Sequence, residues 1–163
     1  MAMTRTMSAP AARTMTWATT LWATAVACGV VETTLAVAEM VSAGDAVPWA
    51  ALAVRLAVYT AAALMVVWFA GGRRWARVVL TVGLGVIGLG SLVVPIALAL
   101  PDGAGVLEAM GYEHGLLYLA VRVGHIASVI AALVLSYTPS ADRRFARRAA
   151  GQPSSVSDQV AKP

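Results

Sequence analysis

The stretch VVLTVGLGVIGLGSLVVPIALAL, residues 78–100, carries no charged side chain and exceeds the roughly 20 helical residues needed to cross a hydrocarbon core. In lipid every backbone N–H and C=O must find a partner within the protein, so the run is read as a transmembrane helix. Three more stretches read the same way, at 17–41, 48–70 and 115–137. The connections between the four, SAGDAV, GGRRWAR and PDGAGVLEAMGYEH, each hold Gly, Pro or charge where a helix should stop. The expected fold is all-α: a polytopic membrane protein built as a four-transmembrane-helix bundle, residues 17–137, between an N-terminal tail (1–16) and a C-terminal tail (138–163).

Composition agrees. The chain of 163 residues is 60% hydrophobic and 12% charged, about half the charge content of a soluble domain. Its mean hydropathy is +0.77. The sole cysteine, Cys28, forms no internal disulfide and reads as a structural helix residue. The apolar run around it continues to Val41, too long for a signal-peptide core. The absence of Asn and the preference for Arg over Lys suggest a high-GC bacterial source.

Basic residues accumulate on cytoplasmic loops, and here they are one-sided. Arg5 and Arg13 lie in the first tail, Arg73, Arg74 and Arg77 in the middle connection, and Arg143, Arg144, Arg147, Arg148 and Lys162 in the last tail. The other two connections carry only Asp45, Asp102, Glu108 and Glu113. Both termini are therefore expected in the cytoplasm, with the cell membrane as location and the lipid bilayer as first partner. No nucleic-acid role is implied. Arg143, Arg144, Arg147 and Arg148 are expected at lipid headgroups, where each contributes about 1 kcal/mol near anionic lipid. The tryptophans and tyrosines, Trp22 among them, are read as aromatic markers of the two interfaces.

Five ionisable residues fall inside the spans: Glu32 and Glu39 on the first, Arg55 on the second, Arg122 and His125 on the fourth. A charge at a helix centre costs about 2.5 to 3.5 kcal/mol on insertion scales, so these side chains should face protein. Glu39 follows Glu32 by two turns, within about 20° on the helix surface. Arg122 and His125 share a face that Tyr118 extends. At about 1.5 Å per residue from the outer ends, Glu32 lies about 13 Å deep, Arg55 and Arg122 about 10 Å, His125 about 15 Å and Glu39 about 3 Å. These residues are expected to form one polar network in the outer half, two Glu balancing two Arg.

On the third span, Pro95 removes the helical bond to the Ser91 carbonyl and should kink the helix at the depth of the network. Within GLGVIGLG, residues 83–90, a nucleotide-loop pattern has no meaning inside a span. At 100° per residue Gly83 and Gly90 share one face, Gly85 and Gly88 the opposite one, so the helix is slim on two sides and open to close packing or a dimer contact. No metal-binding or nucleophile spacing is present. His114 and His125 lack a convincing third ligand, so neither a cofactor nor a catalytic group is expected.

Two stretches, GGRRWARVVLTVGLGVIGL (71–89) and RVGHIASVIAALVLSYTPSADRRF (122–145), resemble the small, four-helix, uncharacterised integral membrane proteins common in actinobacteria. The resemblance covers most of 17–148 and implies a membrane location without a known activity. VVETTL, residues 30–35, is similar in outline to the helix-1 Glu motif of small multidrug transporters, but intramembrane Arg55 and Arg122 depart from that pattern.

Two functions follow as expectations. The first is a structural or interaction protein, not an enzyme, in which the Glu/Arg network orders the helices and the bundle binds another copy or another membrane protein. The alternative is a small transporter or ligand-binding protein using the same layer for an anionic ligand or protons.

Overall fold

A computed structural model describes residues 9–99, 101, 105, 107, 110 and 114–142. Among them all regular structure is helical, and four helices are long and apolar enough to cross a membrane. Helix α1 is Ala9–Ala43 and α2 is Trp49–Ala70. The third rod has three parts: α3 (Arg74–Leu80), a π-helical segment (Thr81–Gly88) and α4 (Leu89–Ala99). Helix α5 is Leu116–Ser136. The first helix starts well before the expected residue 17. Arg143, Arg144, Arg147 and Arg148 lie outside the described residues, as do residues 1–8 of the first tail.

Helices α1 and α5 run antiparallel and form the main seam. Trp22 meets Ser136, Glu32 meets His125 and Glu39 meets His114, in that order along the seam. The spacing explains it. Met15, Ala18, Trp22, Ala25, Gly29, Glu32, Ala36 and Glu39 recur at intervals of three and four, as do Arg122, His125, Val129, Ala132 and Ser136. Such stripes let two helices interdigitate along their length.

The packed core occupies the end where α1 begins and α5 ends. Met15, Ala18, Trp22, Ala25, Val66, Phe69, Ala76, Leu80, Val129, Ala132 and Ala141 form it, large side chains set against alanines. This close van der Waals fit of large side chains against alanines holds the helices together at this end. Trp22, expected at an interface, is fully buried and donates from Nε1 to Ser136 Oγ at 3.1 Å. A small-residue stripe lets the indole in, and Ser136 satisfies its one donor.

The same end gathers the middle connection and the end of α5. Arg77 forms an ion pair with Asp142, donates to the Ser136 carbonyl at 3.3 Å and lies over the Tyr137 ring. Arg13, Arg73, Arg74 and Arg77, the described basic residues outside the middles of the long helices, thus lie at one end of the bundle, beside the core.

The third rod departs from the expected 3.6-residue helix at Thr81–Gly88, ahead of the expected kink at residue 95, through which α4 continues as helix. Three glycines, at 83, 85 and 88, leave the wider turn free of Cβ crowding, and Thr81 Oγ1 bonds back to the Arg77 carbonyl at 2.9 Å. The two-faced glycine arrangement assumed 100° per residue and does not carry over. Gly85 is buried on α5, where a Cβ would come within 3.0 Å of Leu133 Cδ2; Gly83 and Gly88 instead border a cavity.

Candidate functional site

Helix α2 packs along α3 but makes only sparse contact with the π segment and α4. The rods therefore part above the core, and a cavity of about 490 Å³ fills the gap, bordered by all four. Its volume lies within the range of about 300 to 1,000 Å³ usual for small-molecule sites.

Each helix supplies polar groups by helical spacing. Helix α1 brings Glu32 and Thr33, α2 brings Arg55 and Tyr59, α4 brings Ser91, and α5 brings Tyr118, Arg122 and His125 at intervals of four and three. Valines and leucines between them make the rest of the wall apolar. Glu32, Arg55, Tyr118, Arg122, His125 and Ser91, expected in one layer, do border one space.

Their pairing differs from the expected Glu/Arg network. Glu32 Oε1 lies 3.4 Å from His125 Nδ1, with 11% and 14% of the respective side chains exposed. One proton suffices for this hydrogen bond, carried either by the imidazole or by the carboxyl. Gly29 makes the approach possible: a Cβ there would stand 3.4 Å from His125 Cε1 and 3.0 Å from Tyr59 Cε1. Tyr59 donates its hydroxyl hydrogen to the Gly29 carbonyl at 2.8 Å, leaving Thr33 Oγ1, 2.7 Å away, to donate to the Tyr59 oxygen.

Arg122 has no carboxylate partner among the described residues. Its guanidinium donates to the Leu92 carbonyl at 3.3 Å and to the Tyr118 hydroxyl at 3.4 Å, and its buried Nε has no hydrogen-bond partner. The carbonyl it reaches is that of Leu92, one residue beyond the expected Ser91, whose own hydroxyl turns back to the Gly88 carbonyl at 2.7 Å. Arg55 borders the cavity from α2, exposed and without an ion pair among the described residues.

Glu39 stands apart. Its carboxylate is 55% exposed, lies 3.0 Å from His114 Nδ1 and does not border the cavity. A helix of constant pitch puts Glu32 and Glu39 on one stripe, but two turns separate them by about 10 Å along the axis. The cavity therefore holds one carboxylate, Glu32, against two guanidiniums, Arg55 and Arg122, among the described residues. The expected balance of two and two is replaced by an excess of positive charge.

Sequence reasoning missed Gly29, Thr33 and Tyr59, and weighed His114 only as a metal ligand, not as the partner of Glu39. Gly29 was accessible, since it shares the stripe of Glu32; Thr33 lies one turn beyond Gly29, and Tyr59 follows Arg55 by one turn. His114 sits in a connection, where spacing rules are silent. Among the described residues no group of three His, Cys, Asp or Glu could hold a metal ion.

Comparison with known proteins gives no support to the expected actinobacterial kinship: the chain matches no protein family, no curated protein and no solved structure.

Proposed function

We propose that this chain is a multi-pass protein of the cell membrane, with both termini cytoplasmic, that binds a small anionic molecule in the cavity between its four helices. The orientation is supported by the basic residues lying at one end of the bundle. The ligand reading is carried by one observation: Arg122 borders a cavity of about 490 Å³ without a carboxylate partner among the described residues, while the only cavity carboxylate among them is engaged by His125. A guanidinium at membrane depth is costly without a counter-charge, and an incoming anion supplies one. The reading is one of binding or transport, with Glu32 and His125 as the groups able to exchange a proton when the anion arrives or leaves.

The purely structural role is less well supported, because the Glu/Arg contacts on which it depended are replaced by the Glu32–His125 pair. The test is thermal unfolding of the purified chain in detergent against a panel of organic and inorganic anions. At least one anion is expected to raise the midpoint in the wild type and not in Arg122→Gln. If no anion shifts it, or if the shift is the same in Arg122→Gln, the proposal is wrong.

A further inference from the structure

The cavity has a side opening, and its position identifies the kind of anion. Val54 and Val58 on α2 and Ile87 on the π segment border the cavity while remaining 64%, 52% and 67% exposed. Val58 and Ile87 each sit near the middle of their spans, Trp49–Ala70 and Arg74–Leu98, far from either end. A span of this length places its middle in hydrocarbon, so what surrounds this opening is acyl chain. The π segment forms one jamb, its Gly83 facing open space with nothing within 4 Å of a Cβ built there.

The same cavity is bordered by Arg122, half-buried on α5, and by Arg55, exposed on α2 next to Val54. An apolar entrance at mid-membrane leading to two guanidiniums suits a molecule with one small anionic head and a hydrocarbon body. Resting on the anion-binding reading above, the geometry points to a single-chain amphiphilic carboxylate, drawn from the bilayer sideways between α2 and the π segment. Its head would pair with Arg122, the residue whose guanidinium lacks a carboxylate, in the bidentate manner that suits Arg and a carboxylate. Its chain would lie along Val54, Val58 and Ile87 and leave through the gap. A fully water-borne anion has no use for such an opening.

The experiment measures binding of radiolabelled palmitate and radiolabelled benzoate to the full chain in phosphatidylcholine nanodiscs. Four variants accompany the wild type: Arg122→Gln at the head site, Gly83→Leu and Ile87→Trp at the mouth, and Gly90→Leu as a control. Gly90 is also free of neighbours within 4 Å and does not border the cavity. Saturable palmitate binding is expected, at least tenfold weaker in Arg122→Gln and in both mouth variants and unchanged in Gly90→Leu. Benzoate should bind at least tenfold more weakly than palmitate. Equal palmitate affinity in the wild type and both mouth variants would overturn the lateral route. Benzoate binding through Arg122 without saturable palmitate binding would overturn the amphiphile and leave the anion site standing. Failure of both probes, with Arg122→Gln indistinguishable from the wild type, would remove the anion site as well.

Discussion

Glu32 and His125 face each other across the α1–α5 seam, Oε1 to Nδ1 at 3.4 Å, on the border of a cavity that also holds Arg55 and Arg122. The carboxylate thus has a hydrogen-bond partner that is not arginine, and the guanidiniums keep their charge for something else. Replacing Glu32 by Gln retains a group able to bond His125 while removing the one negative charge that competes with an anion. Anion affinity is expected to rise severalfold in Glu32→Gln, read by titration in detergent, and His125→Leu should lower stability by about 1 to 3 kcal/mol because Glu32 is left unpaired. Weaker anion binding in Glu32→Gln would refute this assignment of charges.

At Gly29 side chains of α2 and α5 both crowd against α1. A methyl group there meets Tyr59 at 3.0 Å, so Gly29→Ala should cost about 1 kcal/mol and Gly29→Val about 1 to 3 kcal/mol, despite the better helix propensity of alanine. Gly90→Ala, with open space around it, should be neutral or stabilising by up to about 1 kcal/mol. Thermal unfolding of the three variants side by side decides the matter; equal midpoints would mean that the Gly29 contact is not tight.

Trp22 anchors the packed end of the bundle. Trp22→Phe retains most of the ring volume but loses the bond to Ser136, a loss of about 1 kcal/mol, whereas Trp22→Ala opens a cavity costing about 3 to 5 kcal/mol. The prediction fails if both variants unfold at the wild-type temperature.

Arg77 ties the start of the third rod to the end of α5 through Asp142, the Ser136 carbonyl and the Tyr137 ring. Asp142 is 56% exposed, so Asp142→Asn should cost no more than about 1 kcal/mol. Arg77→Ala, which loses all three contacts, should cost more. A double-mutant cycle measures the share of the pair, and a coupling above about 1 kcal/mol would contradict its exposed setting.

The outer pair, Glu39 with His114, is expected to contribute little, below about 1 kcal/mol, because both side chains are well exposed. Glu39→Gln should leave both the unfolding midpoint and anion binding unchanged. A loss of anion binding would place Glu39 in the site after all.

The four spans, the α1 and α5 stripes and the polar layer were all legible in the chain, because hydrophobic length and helical pitch are local properties. Residues 78–100 needed no partner to declare themselves apolar, and Tyr118, Arg122 and His125 share a face at any helix orientation. The π segment was not legible: whether a glycine-rich run widens depends on what packs beside it, here Leu133 of α5 against Gly85.

Pairing was decided only by the tertiary structure. Counting along each helix led to the expectation that Glu32, Arg55, Arg122 and His125 lie at similar depth, and formal charge then favoured Glu32 with an arginine. Depth says nothing of rotation about each helix axis, which the fit of Trp22, Phe69 and Leu80 among alanines sets at the other end of the bundle. With that rotation given, Glu32 meets His125, Glu39 leaves for His114, and two arginines remain facing a space rather than an acid.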